Sequence, residues 1–186
     1  MEVVRDASYP RLRDASIQVQ PLRSDFVFYQ ARFSFCSYFF NRRLHYLMGA
    51  NSLALDRLIP PEAMRAILAH ELAHVNYYQV HNRIQLLGLL RLVSPSFAAR
   101  FERKADLDAI DLGYGPGLAL FRRWLYANIP PSRIAAKKRN YLTPEEIEAV
   151  LDARQHDPEI MSKLMRSVPR NLRQIEALVG HSSLNR

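Results

Sequence analysis

IPPEAMRAILAHELAHVNYYQV, residues 59–80, is the stretch on which the fold turns. Pro60-Pro61-Glu62 is a helix-start signal, and apolar residues recur behind it at helical spacing. The stretch predicts a helix over about 61–79. At about 100° per residue, Met64, Ile67, Leu68, Leu72, Val75 and Tyr78 form one apolar stripe. His70 and His74 sit at one edge of it, one turn apart. Glu71 falls within the stripe, where a carboxylate is costly unless something pairs with it.

Two imidazoles one turn apart can reach one metal ion. A glutamate one residue after the first histidine is turned away from ligation and toward a water on that ion. Zinc brings the pKa of such a water to about 7 and polarises a carbonyl, while the carboxylate takes the proton. The competing reading is a core helix whose histidines are satisfied by ordinary hydrogen bonds.

A catalytic zinc usually needs a third protein ligand. SFAARFERKADLDAIDLG, residues 96–113, offers one. Its apolar face is Phe97, Ala98, Phe101, Ala105, Ala109 and Leu112, with Arg100, Arg103 and Lys104 pointing elsewhere. Glu102 and Asp106 lie one turn apart at the edge of that face. Glu102 is the candidate ligand, and Asp106 is the candidate group to orient a ligand histidine through its other ring nitrogen. A solvated acid pair among basic neighbours is the alternative. Taken together, the two helices favour the metal.

The rest of the chain is read around this pair. With 186 residues, 48% apolar and 24% charged, the sequence suits one globular domain. Strands are expected at 15–22, 25–40 and 43–49, where β-branched and aromatic residues concentrate. From residue 60 onward the pattern is helical. A short apolar helix is expected over 84–93. Ser94-Pro95 opens the next helix and Gly113 closes it. Pro116 begins another, and Thr143-Pro144-Glu145-Glu146 caps a further one. Two more are expected near 158–166 and 169–179. Residues 128–142 read as a mobile, basic connector. The expected fold is α+β: a small antiparallel or mixed N-terminal sheet, within residues 1–58, packed on a helical zinc-binding part, residues 59–186.

Cys36 is the only cysteine, which fits a reducing compartment. The first residues do not read as a signal peptide, and LLGLLRLV is too short to span a bilayer, so a cytoplasmic location is expected. The net charge of +8 is spread over a solvated surface, with no motif for a specific nucleic-acid partner. Leu86–Val93 reads as core. Its alternative is an amphipathic patch, flanked by Arg83 and Arg91, that makes peripheral membrane contact. Nothing in the sequence indicates an oligomeric state.

Three stretches together resemble a known family. LHYLMGANSLALDRLIPPEAMRAILAHELAHV leads a strand into the first helix, FERKADLDAIDLG carries a Glu-x-x-Ala-Asp segment, and LGYGPGLALFRRWL follows it. They are similar to the gluzincin zinc peptidases, more narrowly to the family of the CAAX prenyl protease and the bacterial heat-shock membrane protease. The resemblance implies a zinc metalloendopeptidase acting on a peptide or protein substrate. It implies His70, His74 and Glu102 as ligands, Glu71 as base, and strand 44–49 holding substrate backbone by β-augmentation. The chain departs from the family's pattern at Gln79, where a further histidine is common, and at Val168, where a His-Pro segment is common. Tyr114, Tyr126, Arg173 and His181 are the candidates for stabilising the transition state. The alternative function is a zinc-binding regulatory or binding module with little or no general proteolysis.

Overall fold

The structure, a computed structural model, describes residues 1–24, 26–34, 45–52, 59–86, 88, 91 and 93–183. The fold is α+β, with a three-stranded mixed sheet beside a helical body. The chain opens with helix α1 (Glu2–Ser8), which the sequence reading did not anticipate, and a single 3-10 turn (Pro10–Leu12). Strands β1 (Ile17–Pro21), β2 (Tyr29–Phe33) and β3 (Tyr46–Ala50) follow. β3 lies in the middle, parallel to β1 (Val19 opposite Met48) and antiparallel to β2 (Ala31 opposite Met48). Cys36 and most of the aromatic run around it lie outside the described residues.

Helix α2 (Pro61–Val80) is the axis of the molecule. The expectation of one apolar stripe understates its burial. Every residue from Ala69 to Val75 is buried, so this part of the helix is enclosed all round. Its alanines, Ala63, Ala66, Ala69 and Ala73, are the physical reason. Small side chains let neighbouring elements close on several faces at once. β2, α4 (Pro95–Ala109) and α5 (Gly115–Asn128) pack on it, as does α1. Gly117 of α5 comes so close that a Cβ there would lie 2.5 Å from the Glu62 carbonyl oxygen, so only glycine fits.

Ser94 precedes α4 as expected, with Pro95 in its first turn. A π-helical turn (Ile110–Tyr114) follows, in which Gly113 takes φ +91° and turns the chain into α5. Residues 131–140 are not a connector but helix α6 (Pro131–Asn140). Pro131 at its start and the run of Ala, Lys and Arg behind it are good helix formers, a signal the basic composition obscured. Thr143 caps α7 (Pro144–His156) in a capping box, accepting from the Glu146 N–H while Glu146 accepts from the Thr143 N–H. α8 (Ile160–Arg166) and α9 (Leu172–Ser183) complete the body. Of the helix expected over 84–93, the structure describes α3 (Arg83–Leu86); Leu86 is buried and Val93 is 89% exposed. Among the described residues, no helix is long and apolar enough to cross a membrane.

Arg103 corrects the wheel reading of α4. It does not point to solvent but is 1% exposed. Its guanidinium donates to the Pro169 carbonyl (2.6 Å), the Tyr141 carbonyl (2.8 Å) and the Glu146 carboxylate (2.8 Å). One side chain thus joins α4 to the start of α7 and to the chain before α9. Leu112, placed on the apolar face by the same reading, is 42% exposed, because the π turn rotates it outward. Removing a buried cation leaves its carboxylate and carbonyls without a partner, which costs about 3–5 kcal/mol. Arg103→Leu should therefore lower the unfolding free energy by that amount in urea titration. Exposed Arg100→Leu on the same helix should change it by less than about 0.5 kcal/mol.

Candidate metal centre

The enclosed segment of α2 carries three polar side chains, His70, Glu71 and His74, each less than a tenth exposed. α4 crosses beside it and delivers Glu102 to both imidazoles. Glu102 Oε2 is 3.2 Å from His70 Nε2 and 3.1 Å from His74 Nε2. Ligand atoms of these three residues all lie within 4.8 Å of one another. The Glu102 side chain is 26% exposed, yet it faces the histidines rather than bulk water.

Each ring is held from behind. His70 Nδ1 lies 2.8 Å from Asp106 Oδ1. Asp106 is fully buried, and it also accepts from the Arg122 guanidinium (2.7 Å) and the Leu142 N–H (2.8 Å). A charged guanidinium and a backbone donor satisfy the carboxylate in the interior. His74 stacks on Phe101 with ring centroids 4.7 Å apart, and Tyr78 lies on its helix at 6.5 Å. Aromatic packing fixes that ring where no carboxylate does.

The electrostatics follow from this crowding. Burial alone would lower the pKa of His70. Asp106, Glu102 and Glu71 together outweigh burial, the largest single effect, and raise the pKa to about 10. Burial would raise Glu102, but His74 and His70 hold it well below the usual carboxylate range. Asp106 is depressed against its own burial by Arg122 and His70. The site is thus a set of positive and negative charges compressed at one point. Two imidazole nitrogens and one carboxylate oxygen form a donor set suited to zinc, and three protein ligands leave a position open.

Glu71 does not join the cluster of ligand atoms. Its Oε2 accepts the Ala31 N–H at 2.6 Å, and Oε1 has no hydrogen bond among the described residues. That bond also locates the edge of the sheet. Phe28 and Ser34 bond to β3 at Asn51 and His45, so residues of the opposite parity, Tyr29, Ala31 and Phe33, turn their backbone groups outward. The strand beside the centre is therefore β2. The expectation that 44–49 holds substrate backbone is overturned, because β3 is paired on both sides and has no open edge. Asn51 holds the wall before β2, donating from its amide to the Ser24 carbonyl and to the Val27 carbonyl (3.0 Å).

A cleft of about 190 Å³ opens over the centre. Its floor is His70, Glu71, His74 and Glu102, one wall is residues 26–31, and the other is Arg122 of α5 with Lys137 and Tyr141 of α6 and its end. A larger cavity, about 730 Å³, lies elsewhere on α4 among Arg100, Arg139, Arg166 and Arg170, and none of its lining residues is a histidine or an acid. The ligand-forming groups belong to the smaller one.

Three candidates for the transition state, Tyr114, Tyr126 and Arg173, stand outside the cleft. Tyr114 shares a hydrogen bond with Ser8 (2.7 Å) and does not line the cleft. Tyr126 has a buried hydroxyl without a partner among the described residues, also outside the cleft. Arg173 is exposed on α9. The His181 side chain lies outside the described residues. Tyr141 does reach the cleft, with its ring 5.9 Å from that of His70, and its hydroxyl has no partner among the described residues. Sequence reasoning missed Arg122, Lys137 and Tyr141 because they stand 50 or more residues from His70 and no local spacing joins them to it.

Purified protein should hold one zinc per chain by elemental analysis. His74→Ala should abolish that stoichiometry, and His45→Ala or His156→Ala should leave it intact. Asp106→Asn should weaken zinc binding about 10–100-fold, because the ring of His70 loses its anchor. No protein-family profile matches the chain, and no curated protein and no solved structure is recognisably similar to it, so the chemistry of the centre rests on its own geometry.

Proposed function

We propose that the chain is a zinc-dependent metalloendopeptidase, as its resemblance to the gluzincins implies. The observation that carries the reading is the convergence of His70, His74 and Glu102 from two helices, with Glu71 beside them in the same cleft. His70, His74 and Glu102 would hold the ion. A zinc bound there supplies a Lewis acid for a peptide carbonyl and acidifies a water at the open position.

The chain's own groups do the rest. Glu71 is anchored at Oε2 by the Ala31 N–H, which aims the carboxylate and leaves Oε1 to accept a proton in the cleft. The same carboxylate can then deliver that proton to the departing amine. The edge of β2, unpaired among the described residues, would present backbone groups at Tyr29 to an extended peptide and set it along the cleft by β-augmentation. The Tyr141 hydroxyl, which has no partner among the described residues, is a donor in the cleft for negative charge developing on the substrate oxygen. Lining by Phe26, Phe28, Phe121 and Leu125 keeps the local dielectric low, which strengthens each of these interactions.

Two variants test the reading. Glu71→Gln should keep zinc and lose about 10²–10⁴ in kcat on a quenched fluorescent peptide library. Tyr141→Phe should keep zinc and KM and lose about 10–10³ in kcat. Activity that survives Glu71→Gln would refute the assignment. Stoichiometric zinc in a wild-type protein that cleaves nothing would leave the zinc-binding module as the function.

A further inference from the structure

Lys137 is a cation without an anion among the described residues. It projects from α6 into the cleft that holds His70 and Glu71, and it is half-buried there. Its Nζ lies 5.1 Å from the centre of the Tyr141 ring and 6.0 Å from that of Phe26. It makes no ion pair among the described residues. The other cation in the lining, Arg122, is already committed to Asp106 at 2.7 Å and lies 4.4 Å over the Tyr141 ring.

Aromatic faces position an ammonium without neutralising it. Burial first and then the nearby Arg122 lower the pKa of Lys137 to about 8, against the opposing pull of Glu102 and Glu71. Neither lining carboxylate forms an ion pair with Lys137 among the described residues. Glu102 is bound to the two histidines, and Glu71 is held by Ala31.

We propose that Lys137 makes the cleft selective for peptides that carry a carboxylate close to the bond attacked. The carboxylate would sit between Phe26 and Tyr141 and form a charge-assisted hydrogen bond with Nζ. A neutral amide of the same shape lacks the charge to complete the pair. This inference rests on the peptidase reading for its context, but it concerns recognition and can be measured without turnover.

The test uses zinc-loaded full-length protein and peptides that differ at one position, Asp, Asn or Lys, scanned over three residues on each side of the bond. The wild type should prefer Asp over Asn about 10–100-fold in kcat/KM at one of those positions. Lys137→Gln should equalise the Asp and Asn peptides, and Lys137→Glu should transfer the preference to the Lys peptide. Unchanged zinc stoichiometry reports that each variant is folded. A wild type indifferent to Asp, or an Asp preference that persists in Lys137→Glu, overturns the proposal. So does an equal fall in kcat on every peptide, which would assign Lys137 to the transition state instead.

In parallel, the fluorescein-labelled peptides are titrated into zinc-loaded Glu71→Gln protein, with and without Lys137→Glu, by anisotropy. Tighter binding of the Asp peptide only when Lys137 is present supports the inference even if the wild type hydrolyses nothing, which would refute the peptidase reading alone. Equal binding of the two peptides refutes the inference and leaves that reading standing.

Discussion

A single buried carboxylate organises this molecule. Asp106 has no exposed surface, yet it meets His70 of α2, Arg122 of α5 and the Leu142 N–H at the start of the segment leading into α7. An ionised group in that position is tolerable only because all three partners are present. The condition works in reverse as well. Any arrangement of the helices that satisfies Asp106 also sets the ring plane of His70, places Arg122 against Tyr141 and closes one end of the cleft. Stability and site geometry are therefore one constraint, because the charge that would destabilise a loose core orients the ligand in a tight one.

Arg103 repeats the logic on the other side of α4. It is the residue after Glu102, and its guanidinium spans two carbonyls and the capping carboxylate of α7. α4 is thus clamped by a buried cation and a buried anion, Arg103 and Asp106, and Glu102 stands immediately before them. A carboxylate on so fixed a helix is held close to the two histidines, which is what preorganisation of a site requires. The bond from Arg103 to the Tyr141 carbonyl extends the clamp to the cleft wall, since the side chain of Tyr141 stands over His70.

The cleft is assembled from parts with different physical origins. His70 and His74 stand on the enclosed part of α2, and Glu102 stands on a helix clamped by Arg103 and Asp106, so packing leaves all three little freedom. The wall before β2 is held by Asn51, whose amide gathers two carbonyls of residues 24–27. The opposite wall is α6, an exposed helix with no buried residue that nevertheless carries Lys137 inward. Under the proposed reading, chemistry would fall to the rigid part and recognition to the two walls, with the edge of β2, unpaired among the described residues, as the place for an extended chain.

Much of this was legible in the sequence. Proline, Thr143 and Gly113 punctuate the helices through local backbone rules, and the i, i+4 spacing of His70/His74 and Glu102/Asp106 marks two polar edges, because helical geometry is local. The α+β class follows from the order of strand-like and helix-like segments. Other features depend on contacts between segments far apart in the chain. That Arg103 and Arg122 are interior, that α2 is enclosed on every face, that β2 rather than β3 is the open edge, and that Lys137 and Tyr141 face the centre are of this kind. Composition around Arg103 or Lys137 reads as a solvated charge run, and only the position of Glu146, Asp106 or Phe26 in space tells otherwise. The sequence by itself determined which residues have the chemistry to hold a metal. The tertiary structure decided which of them meet and what shares their cleft, because burial and charge pairing are set by neighbours in space rather than in sequence.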